Sequence, residues 1–448
     1  MAKLYFPKDF IWGVASSAYQ IEGAWEKDGK GLSIWDTFTH KTGHILNNET
    51  GDVSIDHYHR YRDDIALMAK LGIANYRFST AWTRILPDGI GKVNPNGIGF
   101  YDRLIDTLLK HKIEPYLCLF HYDLPQKIQD AGGWPNRDTA FHFAEYARVV
   151  AKYLGDRLNI IMTHNEPWVT AFVGYYFGTH APGVQDLGAA LHSLHHVLLS
   201  HGLAAEAIRA ESKNRIKVGL TLNLSPVYSA SNFPRDLKSV NTADTLLNKI
   251  VLDPLIKGTS PLQEDKLGKT LVGNIIKSGD LHRINTVDLL GVNYYSRSVV
   301  KHSYNVPLVQ FTQVNPEGND YSGMWEIYPE GLYDLLKRIH TDYTPGCEMM
   351  VTENGVPVPD GIDFDGRIRD VRRKKYLQEH LAQVHRAIQD GIPVKGYFHW
   401  SFMDNFEWAL GYSQRFGLVY VEYQTQKRIV KDSGVWFSNV IRTNGFDF

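Results

Sequence analysis

Cysteine is nearly missing from this chain, occurring only as Cys118 and Cys347 in 448 residues. The two lie in separate apolar runs with no CxxC partner, so they read as reduced core thiols rather than a disulfide or a metal pair. Excess charge of either sign is missing too: Lys plus Arg (48) nearly cancels Asp plus Glu (49). With no basic stripe and no acidic tail, neither a nucleic acid nor an anionic membrane is an expected partner. No stretch approaches 18 consecutive apolar residues, and residues 1–9 have no apolar core of signal-peptide length. A cytoplasmic location is the default expectation. Linkers rich in Pro, Gly or Ser, low-complexity tracts and fixed-period repeats are all lacking. The length allows about three average domains, but the expectation is one domain, residues 1–448, with long loops.

What the chain does have is alternation. Short, mostly apolar runs at residues 11–18, 74–79, 115–120, 159–165, 217–223, 288–294, 347–353 and 394–400 read as strands buried on both faces. Helical spacing separates them. Tyr58, Tyr61, Ile65 and Met68 form one apolar face, Phe100, Leu104, Ile105 and Leu108 another, and Tyr376, Leu377, His380, Leu381, Val384 and Ile388 a third. Residues 225–283 are the most ambiguous region; their helical stretches are expected to decorate one βα loop. Eight βα repeats are the number that closes a TIM barrel. The runner-up is an open doubly wound sheet, weakened because no Gly-rich phosphate loop follows the first strand.

In such a barrel the reacting groups belong at the carboxyl ends of the strands. There this chain gathers Gln20, Arg77, His121, Asn165 with Glu166, Asn293 with Tyr295, Glu353 and Trp400. Each alone reads as a solvated charge, a cap or a core aromatic, but together at one mouth they point to chemistry. Two carboxylates about 5 to 5.5 Å apart suit retaining glycoside cleavage, one attacking the anomeric carbon while the other protonates the leaving oxygen. The nucleophile must stay ionised, which Arg77 and Tyr295 are suited to support. The acid must keep its proton, which burial and a neighbouring negative charge favour. No metal or organic cofactor is required.

Thr163-His164-Asn165-Glu166-Pro167 and Val351-Thr352-Glu353-Asn354-Gly355 resemble the two catalytic signatures of glycoside hydrolase family 1, the β-glucosidase family. The resemblance runs nearly end to end, through Phe10-Ile11-Trp12-Gly13, Gln20-Ile21-Glu22-Gly23, Tyr76-Arg77-Phe78-Ser79, His180-Ala181-Pro182-Gly183 and Asp404-Asn405-Phe406-Glu407-Trp408. It implies Glu166 as acid/base and Glu353 as nucleophile, with Asn165 on the sugar 2-hydroxyl. It further implies Gln20, His121 and Glu407 on the 3-, 4- and 6-hydroxyls, Trp400 under the ring, and Trp408 as a neighbouring hydroxyl contact. Trp325 packs against the leaving group, and Asn293, Tyr122 and Phe416 complete the pocket. The implied activity is exo-hydrolysis of terminal β-D-glucosyl residues, with β-D-galactosyl and β-D-fucosyl residues also accepted.

Departures from the family pattern sharpen the reading. Relatives acting on 6-phosphorylated sugars carry Ser, Lys and Tyr where this chain has Glu407, Gln414 and Phe416, and a carboxylate would repel a phosphate. Tyr122 stands where many members have Trp. His164 and His399 replace apolar or aromatic residues, and His164 reads as a satisfied structural histidine rather than a modulator of Glu166. Metal ligation by His57, His59, His192, His195, His196 and His201 is set aside, since no Cys or nearby carboxylate completes a set. The basic run Arg369, Arg372, Arg373, Lys374 and Lys375 is read as a solvated helix face. Two other functions share the scaffold: a silent sugar-binding protein, disfavoured because both glutamates are retained, and an enzyme that transfers sugar to an acceptor alcohol. Expected partners are small β-glycosides or oligosaccharides; the oligomeric state is left open.

Overall fold

The computed structural model describes residues 3–264, 269, 275–306, 309–344 and 346–448. Eight strands, β1 (Ile11–Ala15), β2 (Asn75–Ser79), β3 (Glu114–Phe120), β4 (Ile160–Asn165), β5 (Lys217–Asn223), β6 (Leu289–Asn293), β7 (Glu348–Asn354) and β8 (Val394–Trp400), run parallel. Pairing of β8 with β1 closes the ring, so the TIM barrel expected from the alternation is the fold, and the open sheet is not. Only β1 stops well short of its predicted end. The chain turns at Ser16, whose amide donates to the Arg77 carbonyl at 2.9 Å, into a helical turn, Ala18–Ile21, that carries Gln20.

Strand periodicity separates two apolar layers. Residues two apart on β3, β4 and β8 (Tyr116 and Cys118, Ile160 and Met162, Phe398 and Trp400) pack inside the barrel with Leu289 and Met350. The opposite faces pack against the helices in a larger core. Glycine makes room where the inner layer is tight: a Cβ on Gly13 would sit 2.4 Å from the Phe398 ring. The alternation breaks at the carboxyl ends of β4 and β7, where the pairing register shifts between Met162 and Asn165 and between Val351 and Glu353. Such irregularities re-aim side chains, and here they precede both candidate glutamates.

The helices follow their apolar faces. His57–Lys70, Pro95–Lys110 and Val371–Gln389 form where three- and four-residue spacing predicts them. At the second, Pro95 fills the first helical position and the Asn94 side chain accepts from the Asn96 amide, meeting one of the orphan N–H groups of the first turn. The ambiguous region after β5 contains a helix, Pro234–Asp244, that runs on through Lys257, and a strand, Val227–Ser229, that pairs with Ser298–His302 beyond β6. Part of that expectation, residues 265–268 and 270–274, lies outside the described residues. Among the described residues no helix is long and apolar enough to cross a membrane.

One reading of the basic run is corrected. Arg369 and Arg372 are half-exposed, but Arg373 is fully buried and paired with Asp360 and Asp370 at 2.8 and 2.5 Å. An arginine turned inward needs buried anions. They come from the loop after β7 and from the residue before the helix, which local charge counting does not reveal.

Candidate active site

The inner side chains change from apolar to polar at the carboxyl ends of the strands. From β2, Arg77 donates to Glu353 Oε1 at 2.5 Å and to Asn165 Oδ1 at 2.7 Å. Tyr295, just past β6, donates to Glu353 Oε2 at 2.8 Å. Asn293, the last residue of β6, donates to Glu166 Oε1 at 2.7 Å and to Asn165 Oδ1 at 3.1 Å, so Asn165 is bonded both to Arg77, which holds Glu353, and to Asn293, which holds Glu166. Tyr122 donates to Glu166 Oε2, and Asn165 Nδ2 donates to Tyr122 and to His121 Nε2, each at 3.0 Å. Arg77, Asn165, Glu166 and Glu353 are all buried.

Electrostatics differentiate the pair. Burial raises the Glu353 carboxyl, while the Arg77 guanidinium and the Tyr295 hydroxyl oppose the rise. Glu166 is pushed up to about 7 by burial and by the charge of Glu353, with Tyr122, Asn293 and Arg77 pulling the other way. The carboxyl nearer the cation ionises first, and its charge then helps keep the proton on the other. The pair titrates as a unit. Burial, with Arg77 adding to it, drives His121 well below the usual histidine range and keeps it neutral.

A second group of residues walls the same space. Gln20 accepts from Ser17 at 2.6 Å and donates to the Phe406 carbonyl at 2.7 Å and to Glu407 Oε2 at 3.4 Å. Burial, then the charges of Glu353 and Glu166, push the Glu407 carboxyl up to about 8. The His121 ring stacks beside Trp400 and Trp408, with centroids 5.7 and 5.8 Å away. On the other side Tyr295, Trp325 and Phe416 form an aromatic trio at 5.5 to 6.2 Å. All fourteen residues singled out in the sequence thus line one mouth or touch a residue that does. Tyr122, Glu166 and Trp408 hold left-handed backbone, with φ of 73°, 49° and 47°. That conformation is costly for side-chain-bearing residues and concentrates at working sites.

Sequence reasoning missed two hydroxyls. Thr352 donates to Asn293 Oδ1 at 2.8 Å, and Thr221, on β5, lies 3.4 Å from Arg77 Nη2. Thr221 had a signal, a lone polar residue in the apolar run of β5. The histidines resolve structurally. His164 faces the helix layer, 2.8 Å from Ser200 Oγ and stacked on Phe143. His399 faces outward to the Phe416 carbonyl. His195 pairs with Asp280, and His196 bonds the Trp134 carbonyl. Among the described residues no three His, Cys, Asp or Glu side chains group as metal ligands.

Known proteins share this arrangement of sequence and fold. The chain is 46% identical to Beta-glucosidase A of Acetivibrio thermocellus over 451 residues, covering 100% of both. It is 42% identical to a bifunctional beta-D-glucosidase/beta-D-fucosidase of Bifidobacterium breve, covering 98% of each. The solved family 1 β-glucosidase of Thermotoga maritima superposes with a TM-score of 0.95 at 43% identity, covering 100% of both chains. The model of glycosyl hydrolase family 1 matches residues 2–446, and the chain therefore belongs to glycosyl hydrolase family 1.

Proposed function

We propose that this protein is an exo-acting β-glucosidase that works with retention of configuration. The observation carrying the reading is that two buried carboxyl groups are joined through one chain of hydrogen bonds, by way of Arg77, Asn165 and Asn293, but are held differently: Glu353 by Arg77 and Tyr295, Glu166 by neutral donors alone. In the first step Glu353 attacks the anomeric carbon, the glycosidic C–O bond breaks, and Glu166 passes its proton to the leaving oxygen. In the second, water attacks that carbon, Glu166 takes the water's proton, and the ester to Glu353 breaks. No step calls for a metal or organic cofactor.

Gln20, His121 and Glu407 are assigned to the hydroxyls of one terminal sugar, Trp400 to its ring face and Trp408 to a neighbouring hydroxyl, which favours exo cleavage. The neutral His121 accepts at Nε2 and so carries its hydrogen on Nδ1. Trp325, with Phe416, lines the leaving-group side, and Asn165 is assigned to the 2-hydroxyl. Galactosides and fucosides are expected as further substrates, since the same polar groups reach either orientation of the 4-hydroxyl, and one relative is named a glucosidase/fucosidase.

The test is a panel of aryl β-glycosides differing at C4, C5 and C6, run on wild type, Glu166→Ala and Glu353→Ala. Both variants should nearly lose turnover, and azide should restore Glu353→Ala with inverted product. A wild-type product of inverted configuration would overturn the mechanism, because inversion requires carboxyl groups about 6.5 Å or more apart.

A further inference from the structure

We propose that Tyr122 is a positioning residue for Glu166: its phenol hydrogen is committed to that carboxyl and favours the ionised form that takes a proton from water. The inference rests on the acid/base reading of Glu166. It follows from the direction in which the hydrogen bonds must run. Arg77 can only donate, so the Asn165 atom 2.7 Å from its Nη2 is the carbonyl oxygen. The other end of that amide is therefore its nitrogen, which has no acceptor capacity and donates to the Tyr122 oxygen at 3.0 Å. With its oxygen accepting from Asn165, Tyr122 turns its one hydrogen to Glu166 Oε2. The opposite carboxyl oxygen is served the same way: Thr352 donates to Asn293 Oδ1, and Asn293 Nδ2 donates to Glu166 Oε1.

Both oxygens of Glu166 thus accept from oriented donors, an arrangement that suits a carboxylate. A proton takes up a lone pair and leaves the carboxyl the weaker acceptor, so both hydrogen bonds are stronger to the ionised form. Other charged and titratable groups surround the same carboxyl: Arg77 from β2, His121 beside Tyr122, Tyr295 after β6, Glu353 from β7 and Glu407 after β8. Glu353 and Glu407 favour the protonated acid, and Arg77 opposes them. Among these influences the Tyr122 hydroxyl can be deleted without changing any charge. The ring has its own supports, packing 4.8 Å from His121 and 5.0 Å from Trp408, so Tyr122→Phe keeps them. An indole N–H at this position, as many family members have, would donate with different reach.

The test follows Glu166 directly and through catalysis. In protein labelled with carboxyl-13C glutamate, the resonance lost in Glu166→Gln reports the carboxyl's titration, and the alkaline limb of kcat/KM on 4-nitrophenyl β-glucoside reports the catalytic acid. In Tyr122→Phe both should move upward by about one pH unit, because a hydrogen bond to the charged form is gone. Site-specific 3-fluorotyrosine at position 122, a more acidic phenol and stronger donor, should move both downward by about a few tenths. This second variant keeps the question open to refutation should Tyr122→Phe fail to fold. If neither quantity moves, or KM rises with both unmoved, the Tyr122 proposal is overturned and the acid/base reading stands. If the resonance moves and the kinetic limb does not, Glu166 is not the catalytic acid and the underlying reading falls.

Discussion

Two buried clusters of charge flank the end of β8 and are built on opposite principles. Outside the barrel, Arg373, Arg415 and Lys431 face Asp360, Asp370 and Asp404, three cations against three anions. Lys431 and Arg415 each reach Asp404 at 2.7 Å. This cluster ties the loop after β7, the start of helix Val371–Gln389, the loop after β8 and the residue before helix Asp432–Thr443 into one strut. Asp404 also accepts the Gly417 amide at 2.9 Å, fixing the segment that carries Glu407 and Phe416. Inside, Glu166, Glu353 and Glu407 gather with a single guanidinium, Arg77, which is paired to Glu353, and all three carboxyls rise, Glu166 to about 7 and Glu407 to about 8. Matched charge holds structure together, whereas unmatched charge stores the proton affinity that acid/base chemistry needs.

The contrast fails if the same kind of mutation acts alike on both clusters. The largest effect belongs to the inner one: Glu353→Ala should lower kcat by about 10⁴-fold or more in steady-state assays, as loss of a covalent catalyst does. The next belongs to the outer one. Asp404→Ala leaves Lys431 and Arg415 without their shared anion and should cost about 3–5 kcal/mol in urea unfolding, the range for breaking a buried ion network. A loss under about 1 kcal/mol would show that the strut is not needed.

Glu407→Gln gives the third test, with the opposite sign for stability. The folded pKa of Glu407 is raised, so between the unfolded value near 4.3 and about 8 the native state holds a proton that the unfolded chain has released. Stability therefore falls as pH rises through that window, by at most about 1.4 kcal/mol per pH unit. Glu407→Gln should flatten this slope and be more stable than wild type at pH 8. Urea midpoints at pH 5, 6.5 and 8 check it, and parallel slopes would mean that Glu407 is not strained by its neighbours.

The barrel was legible because strands buried on both faces and amphipathic helices leave plain periodic traces. Arg77, Asn165, Glu166 and Glu353 were legible as polar residues ending apolar runs. The way each side chain points was not. Strict alternation from Ile160 and Met162 would aim His164 into the barrel and Asn165 away from it, and the register shift in β4 reverses that. The same shift in β7 brings Glu353 to the inside beside Thr352, though neighbouring strand residues ordinarily face opposite ways. Arg373 escaped for a related reason, as one of its two buried aspartate partners, Asp360, comes from the loop after β7 rather than from its own helix.

The β4 shift gives the smallest and most discriminating expectation. His164 is two residues from Glu166 in sequence, but its ring lies between Ser200 and Phe143 in the helix layer, and burial keeps it neutral. His164→Phe should retain the aromatic packing and lose one hydrogen bond to Ser200, which still donates to the Val197 carbonyl. The stability change should be about 1 kcal/mol. kcat/KM should stay within about threefold of wild type, since 1.4 kcal/mol of lost transition-state stabilisation would already cost tenfold, and its alkaline limb should not move. A shift of that limb would mean that the ring communicates with the catalytic carboxyl after all. The inner and outer faces of β4 would then not be electrostatically separate, and the separation drawn across β8 between the working charges and the structural ones would lose its nearest parallel.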